Sequence, residues 1–197
     1  HRAGDDASRV CVETMVQSLE KSAHKTPVSL FEEAVTAANK AVFEESASHV
    51  EYEGMGTTVV ACTLEENTLY IANIGDSRLY LIRDGIEQIT DDHSLVEEMV
   101  KQGNITESEA RIHPQKNIIT RALGINEEVQ ADFFEIDVEQ GDVIMLCSDG
   151  LSNMIEDEDM EYIVKNSDTL QTAAESLVAR ANENGGNDNI TVVLAEV

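Results

Sequence analysis

The spacing of apolar residues changes near position 57, and that change limits which architectures the chain can adopt. Before it, Ala7, Val10, Cys11, Thr14 and Met15 recur at the interval of one helical face across residues 5–20. Pro27 opens a second helical pattern with Leu30, Ala34, Val35, Ala38, Ala41 and Val42 on one side. After it come short β-rich runs at 57–64, 68–74, 79–83 and 86–89. Glu65-Glu66-Asn67 joins the first two as a hairpin, and Asp84-Gly85 is the turn signal ahead of the last. Short strands in direct succession predict an antiparallel meander.

Residues 91–123 interrupt the strands. Residues 95–102 predict a short helix stopped at Gly103, and Thr106-Glu107-Ser108-Glu109 carries the reciprocal capping pattern that starts another. His113-Pro114 ends that helix, and 117–123 read as a third short element. Such an insertion predicts an appendage over one end of the sheet, where loops tend to carry function. Strands return at 129–136 and 143–147, helical patterns follow at 157–166 and 169–182, and 190–197 closes as a strand. Helices at both ends around an antiparallel middle predict an α+β layered sandwich.

Acidic turns sit at the ends of these strands: Gly75-Asp76-Ser77-Arg78, Ser148-Asp149-Gly150 and Asn187-Asp188-Asn189. A strand fixes the position of its last residue, so carboxylates at strand ends can converge on one point. Converging carboxylates without a neutralising cation beside them suit a hard divalent ion. Taken singly, each turn has a plainer reading. Asp149-Gly150 also suits a turn that closes a strand, and Asp188 a helix stop and connection. Asp76 with Arg78 also suits a turn carrying a surface ion pair. His93 and His113 read as appendage residues with structural hydrogen bonds.

At 197 residues and 42% hydrophobic content the chain has enough material for a core. A formal charge of -26 argues against nucleic-acid binding, which needs basic surface. It suits a solvated acidic surface, and equally an acidic metal site that draws basic substrates. No apolar run approaches the roughly 18 residues of a membrane span. Cys11, Cys62 and Cys147 are odd in number, widely spaced and without a C-x-x-C, which predicts buried free thiols in a reducing cytoplasm.

In order along the chain stand Met55-Gly56-Thr57-Thr58, Asn73-Ile74-Gly75-Asp76-Ser77-Arg78, Asp92-His93-Ser94-Leu95 and Thr120-Arg121-Ala122-Leu123-Gly124. Leu146-Cys147-Ser148-Asp149-Gly150-Leu151 and Gly185-Gly186-Asn187-Asp188-Asn189-Ile190-Thr191 complete the series. This series resembles the metal-dependent protein phosphatases of the 2C type in their short bacterial form, from the first residue to the last. The resemblance implies an α-β-β-α layered sandwich over residues 1–197, with two central antiparallel sheets and a flap at about 91–123. It implies a two-metal site for Mn²⁺ or Mg²⁺, with a weaker third ion beside the pair. Asp149 and Asp188 match aspartates that hold one metal of the pair. Asp76 matches an aspartate that, with Asp149, holds the weaker third. His1 matches the end of the family's Asp-Gly-Met-Gly-Gly-His segment and is the candidate proton donor to the leaving group.

The family's bridging aspartate and glycine would lie just before His1, and its first strands, acidic ligand and phosphate-contacting arginine earlier still. The sequence is therefore expected to be the C-terminal portion of the domain, with the first strands missing, and to bind the metal pair poorly or not at all. The implied activity is hydrolysis of phosphoserine and phosphothreonine in proteins phosphorylated by a serine/threonine kinase, through a metal-activated water. That route needs no covalent nucleophile, so no catalytic role falls to the cysteines. Two alternatives stay open: a non-catalytic pseudophosphatase that binds a phosphoprotein, and a regulatory phosphatase dedicated to one partner.

Overall fold

The computed structural model describes residues 2–23, 26–48 and 50–197. Two long helices, α1 (Arg2–Lys21) and α2 (Pro27–Ser48), lead through a single 3₁₀ turn to strands β1 (Val59–Glu65), β2 (Thr68–Ile74), β3 (Arg78–Ile82) and β4 (Ile86–Gln88). The appendage carries α3 (Leu95–Lys101) and α4 (Glu107–Ile112). Strands β5 (Asp132–Asp137) and β6 (Val143–Cys147) follow, then α5 (Asp149–Ser152), α6 (Asp157–Lys165), α7 (Leu170–Glu183) and β7 (Val192–Glu196). The strands form two antiparallel sheets, ordered β1-β2-β5 and β4-β3-β6-β7.

Alternation along each strand generates the layers. On β1, Val59 and Ala61 face α1 and α2, while Val60 and Cys62 face the other sheet. On β3, Leu79 and Leu81 fill the space between the sheets, while Tyr80 and Ile82 face α5–α7. On β6, Ile144 and Leu146 point inward, and Met145 and Cys147 outward. The result is the α+β sandwich, helices on both outer faces. Ala7 of α1 and Ala34 and Ala38 of α2 have no exposed surface, and their small side chains let the two helices pack closely. The buried face of α2 also includes Phe31, outside the predicted stripe.

The predicted meander is corrected to two hairpins lying in different sheets. β2 takes β5 as its second neighbour and β3 takes β6, so the chain crosses between sheets at Gly75–Ser77. The cause is burial: β2 and β3 are apolar on both faces, and only strands inside a sandwich are covered on both. The Glu66-Asn67 hairpin forms as predicted, with Glu65 paired to Thr68 and Glu66 at φ 52. The third short element, residues 117–123, is neither a helix nor a paired strand. Its backbone groups go instead to isolated bridges, Ser94 with Ile119 and Thr57 with Leu123. Among the described residues no helix is long and apolar enough to cross a membrane.

Candidate active site

Strand register brings the acidic turns to one end of the sandwich. Arg78, the first residue of β3, lies opposite Cys147, the last of β6, and Cys147 lies opposite Val192, the first of β7. Asp76, Asp149 and Asp188 therefore stand beyond the same edge of one sheet.

Each is held by local structure. The Asp76 turn needs Gly75, whose φ is +102 and whose absent Cβ would lie 2.3 Å from Thr58 Cγ2. Gly75 is stapled to the base of the appendage: its N–H donates to His93 Nδ1 at 2.9 Å, and the His93 N–H donates to Gly75 O at 3.0 Å. Because Nδ1 accepts, Nε2 carries the proton and donates to Asp132 Oδ2 at 3.1 Å. Arg121 Nη1 donates to the same carboxylate at 2.6 Å. Despite its partial burial, those two partners hold Asp132 below the ordinary carboxylate range. His93 and His113 both make structural hydrogen bonds, the latter accepting from the Gln115 N–H at 3.2 Å.

Asp149 opens α5, a single turn too short to leave a periodic signal. Ser148 Oγ donates to Asn189 O at 3.1 Å and accepts the Thr191 N–H at 3.0 Å, tying the end of β6 to the loop before β7. Gly150 permits that approach, since a Cβ there would sit 2.3 Å from Asn189 O. Asp188, exposed on that loop, is thereby near enough to act on Asp149 electrostatically. Burial first, and then the Asp188 charge, push Asp149 above the usual carboxylate range. Burial, then Asp149 and Asp92, raise Asp76 to about 6. These shifts record carboxylates crowded together with too little positive charge, the donor chemistry a hard divalent cation neutralises. In this respect the residues fit Mn²⁺ or Mg²⁺. They are not a full ligand set, because among the described residues no three His, Cys, Asp or Glu side chains gather closely enough to hold a metal. His1 lies outside the described residues.

The surface ion pair considered for Asp76 and Arg78 does not form. Arg78 instead binds Asp92 bidentately, with Nη2 to Oδ2 at 2.7 Å. Beside these groups opens a cleft of about 390 Å³, with Asp76 and Asp149 on one side and Val96, Glu97, Ala110, Arg111 and Lys116 of the appendage on the other. Arg111 is paired with Glu156 at 2.9 Å. Among the described residues Lys116 is the cleft cation without a carboxylate partner. Sequence reasoning missed Lys116, because nothing in a lone lysine after a helix stop reports which way it faces.

Known proteins resemble this chain in sequence and in fold. The family model for protein phosphatase 2C matches residues 1–195. The serine/threonine phosphatase stp of Listeria monocytogenes is 39% identical over 201 residues, covering 100% of this chain and 80% of that protein. The crystal structure of serine/threonine phosphatase Stp1 from Staphylococcus aureus superposes with a TM-score of 0.92 at 32% identity, covering 96% of this chain and 76% of that one. The catalytic domain of serine threonine protein phosphatase PstP, solved in complex with 2 manganese ions, gives a TM-score of 0.89 at 34% identity over 100% of this chain and 82% of that one. By sequence match along nearly its whole length and by fold, the chain belongs to the protein phosphatase 2C family.

Proposed function

We propose that this chain carries the metal-binding end of a cytoplasmic protein serine/threonine phosphatase that acts on the phosphoprotein products of a kinase. The observation that carries the reading is the convergence of Asp76, Asp149 and Asp188 beyond one sheet edge, beside a cleft walled by the appendage. When bound, Mn²⁺ or Mg²⁺ supplies an activated water and neutralises the phosphoryl oxygens. Asp149 and Asp188 serve as ligands of one ion of a pair, and Asp76 joins Asp149 at a weaker third position. Residues 1–197 form the C-terminal portion of one catalytic domain, with 91–123 as the flap that bounds the substrate cleft. Lys116, lacking a carboxylate partner there, is placed to meet an anionic phosphopeptide. His1 is the proton donor to the departing serine or threonine oxygen.

The second reading, a phosphoprotein-binding pseudophosphatase, is favoured by one observation, the incomplete ligand set among the described residues. The deciding experiment is Mn²⁺-dependent phosphate release from a phosphothreonine peptide. It compares residues 1–197 with a form carrying, ahead of His1, the family's Asp-Gly-Met-Gly-Gly segment and the strands before it. The phosphatase reading expects turnover by the extended form and its abolition by Asp149→Asn. A folded extended form with no turnover would leave the binding module standing.

A further inference from the structure

Arg78 is a cation built into the acidic end of the sandwich. It lines the same cleft as Asp76 and Asp149 yet makes no hydrogen bond or ion pair with either. All three guanidinium nitrogens are engaged elsewhere. Nε donates to Asp92 Oδ1 at 2.9 Å, Nη2 to Asp92 Oδ2 at 2.7 Å, and Nη1 to the Tyr80 hydroxyl at 2.8 Å. Both partners are themselves fixed. Tyr80 is fully buried and donates to Asp157 Oδ1 at 3.4 Å, and Gln88 Nε2 donates to Asp92 Oδ1 at 3.2 Å.

A guanidinium is the side chain best matched to carboxylates, and it never loses its charge in a protein. Freed from Asp92, it would compete with a metal for the same oxygens. Resting on the metal reading above, we propose that Asp92 is a positioning residue that withholds Arg78 from Asp76 and Asp149, leaving those carboxylates open to a divalent cation. The sequence places Arg78 beside Asp76, and the fold uses Asp92 to part them.

The test is Mn²⁺ titration by calorimetry of the form extended ahead of His1, its Asp92→Asn and Arg78→Gln variants and the double variant, with a metal-free crystal structure of Asp92→Asn. Asp92→Asn is expected to weaken Mn²⁺ binding tenfold or more, with the Arg78 guanidinium moved onto Asp76 or Asp149. The double variant is expected to return to within threefold of the parent, because no guanidinium remains to restrain. A double variant as weak as Asp92→Asn would reduce the pair to scaffolding and overturn the proposal, as would unchanged affinity in Asp92→Asn. Should Asp92→Asn fail to fold, Arg78→Gln decides: binding at least as tight as the parent sustains the proposal, and weaker binding overturns it. If the extended parent binds no Mn²⁺, the metal reading itself fails. The metal-free structure then judges the restraint alone, with an unmoved Arg78 refuting it.

Discussion

Replacing Gly150 by alanine tests whether the Asp149–Asp188 approach is built or incidental. The added Cβ would lie 2.3 Å from Asn189 O and 2.9 Å from Asn189 C, both backbone atoms that no rotamer change can remove. Reaching an ordinary contact requires the 188–189 loop to retreat by roughly 1 Å. That retreat strains the bonds joining Ser148 Oγ to Asn189 O and to the Thr191 N–H, now 3.1 and 3.0 Å long. Overpacking of this kind costs about 1–3 kcal/mol, and each weakened hydrogen bond adds about 0.5–1.5 kcal/mol. Alanine's better helix propensity in α5 offsets up to about 1 kcal/mol. The net expectation is a loss of about 3 kcal/mol on these terms, read as a lower urea midpoint of the metal-free protein. A misplacement of 1 Å in catalytic geometry costs on the order of 100-fold, so Mn²⁺-dependent phosphate release by the extended form falls by about that factor. Gly85→Ala is the control, since a Cβ there meets nothing within 4 Å and the residue has no left-handed φ. Unchanged stability and unchanged Mn²⁺ dependence in Gly150→Ala would refute the claim that this glycine sets the approach.

Asp76 gives a pH signature in the metal-free protein. Its folded pKa of about 6 exceeds the ordinary aspartate value of 3.8, so between those values the folded chain holds a proton that the unfolded chain has released, and stability falls as pH rises through that window. Asp76→Asn should match the parent near pH 4 and melt higher at pH 7, by at most about 3 kcal/mol; equal melting at pH 7 would show that Asp76 is not crowded. Glu66 sits at φ 52, a left-handed conformation that asparagine tolerates better than glutamate. Glu66→Asn should therefore raise the denaturation midpoint by an amount equivalent to about 0.5–1 kcal/mol and leave Mn²⁺ binding untouched.

The layered fold was legible because strand alternation and helical spacing are local signals, and the core uses both. The ends of β2 and β6 agree with the predicted runs to the residue, since each run stops at an acidic turn. Which sheet each strand joins was not legible, because nothing local to Gly75-Asp76-Ser77 says that the chain changes sheets there. The acidic turns were visible, but their interplay was not. Asp92 lies 14 residues from Arg78 in sequence, and the pair exists only because the appendage base is stapled to Gly75. Gly150 looked like half of a turn signal, whereas its role is the space it leaves for Asn189.

The geometry of the acidic end is inherited from register, and Tyr80 is what makes that register costly to change. β3 is apolar on both faces, so alternation alone would penalise a one-residue slip only through misfitted volumes. Tyr80 breaks the symmetry. Its hydroxyl accepts from Arg78 and donates to Asp157 of α6 on the helix-facing side of the sheet. Slipped by one, the ring would enter the layer filled by Leu79, Leu81 and Ile144, where an unpaired buried hydroxyl costs about 1–3 kcal/mol. The same slip would carry Arg78 away from Cys147, and with it the alignment that sets Asp76 beside Asp149. A buried tyrosine in the core thus fixes the position of carboxylates at the rim.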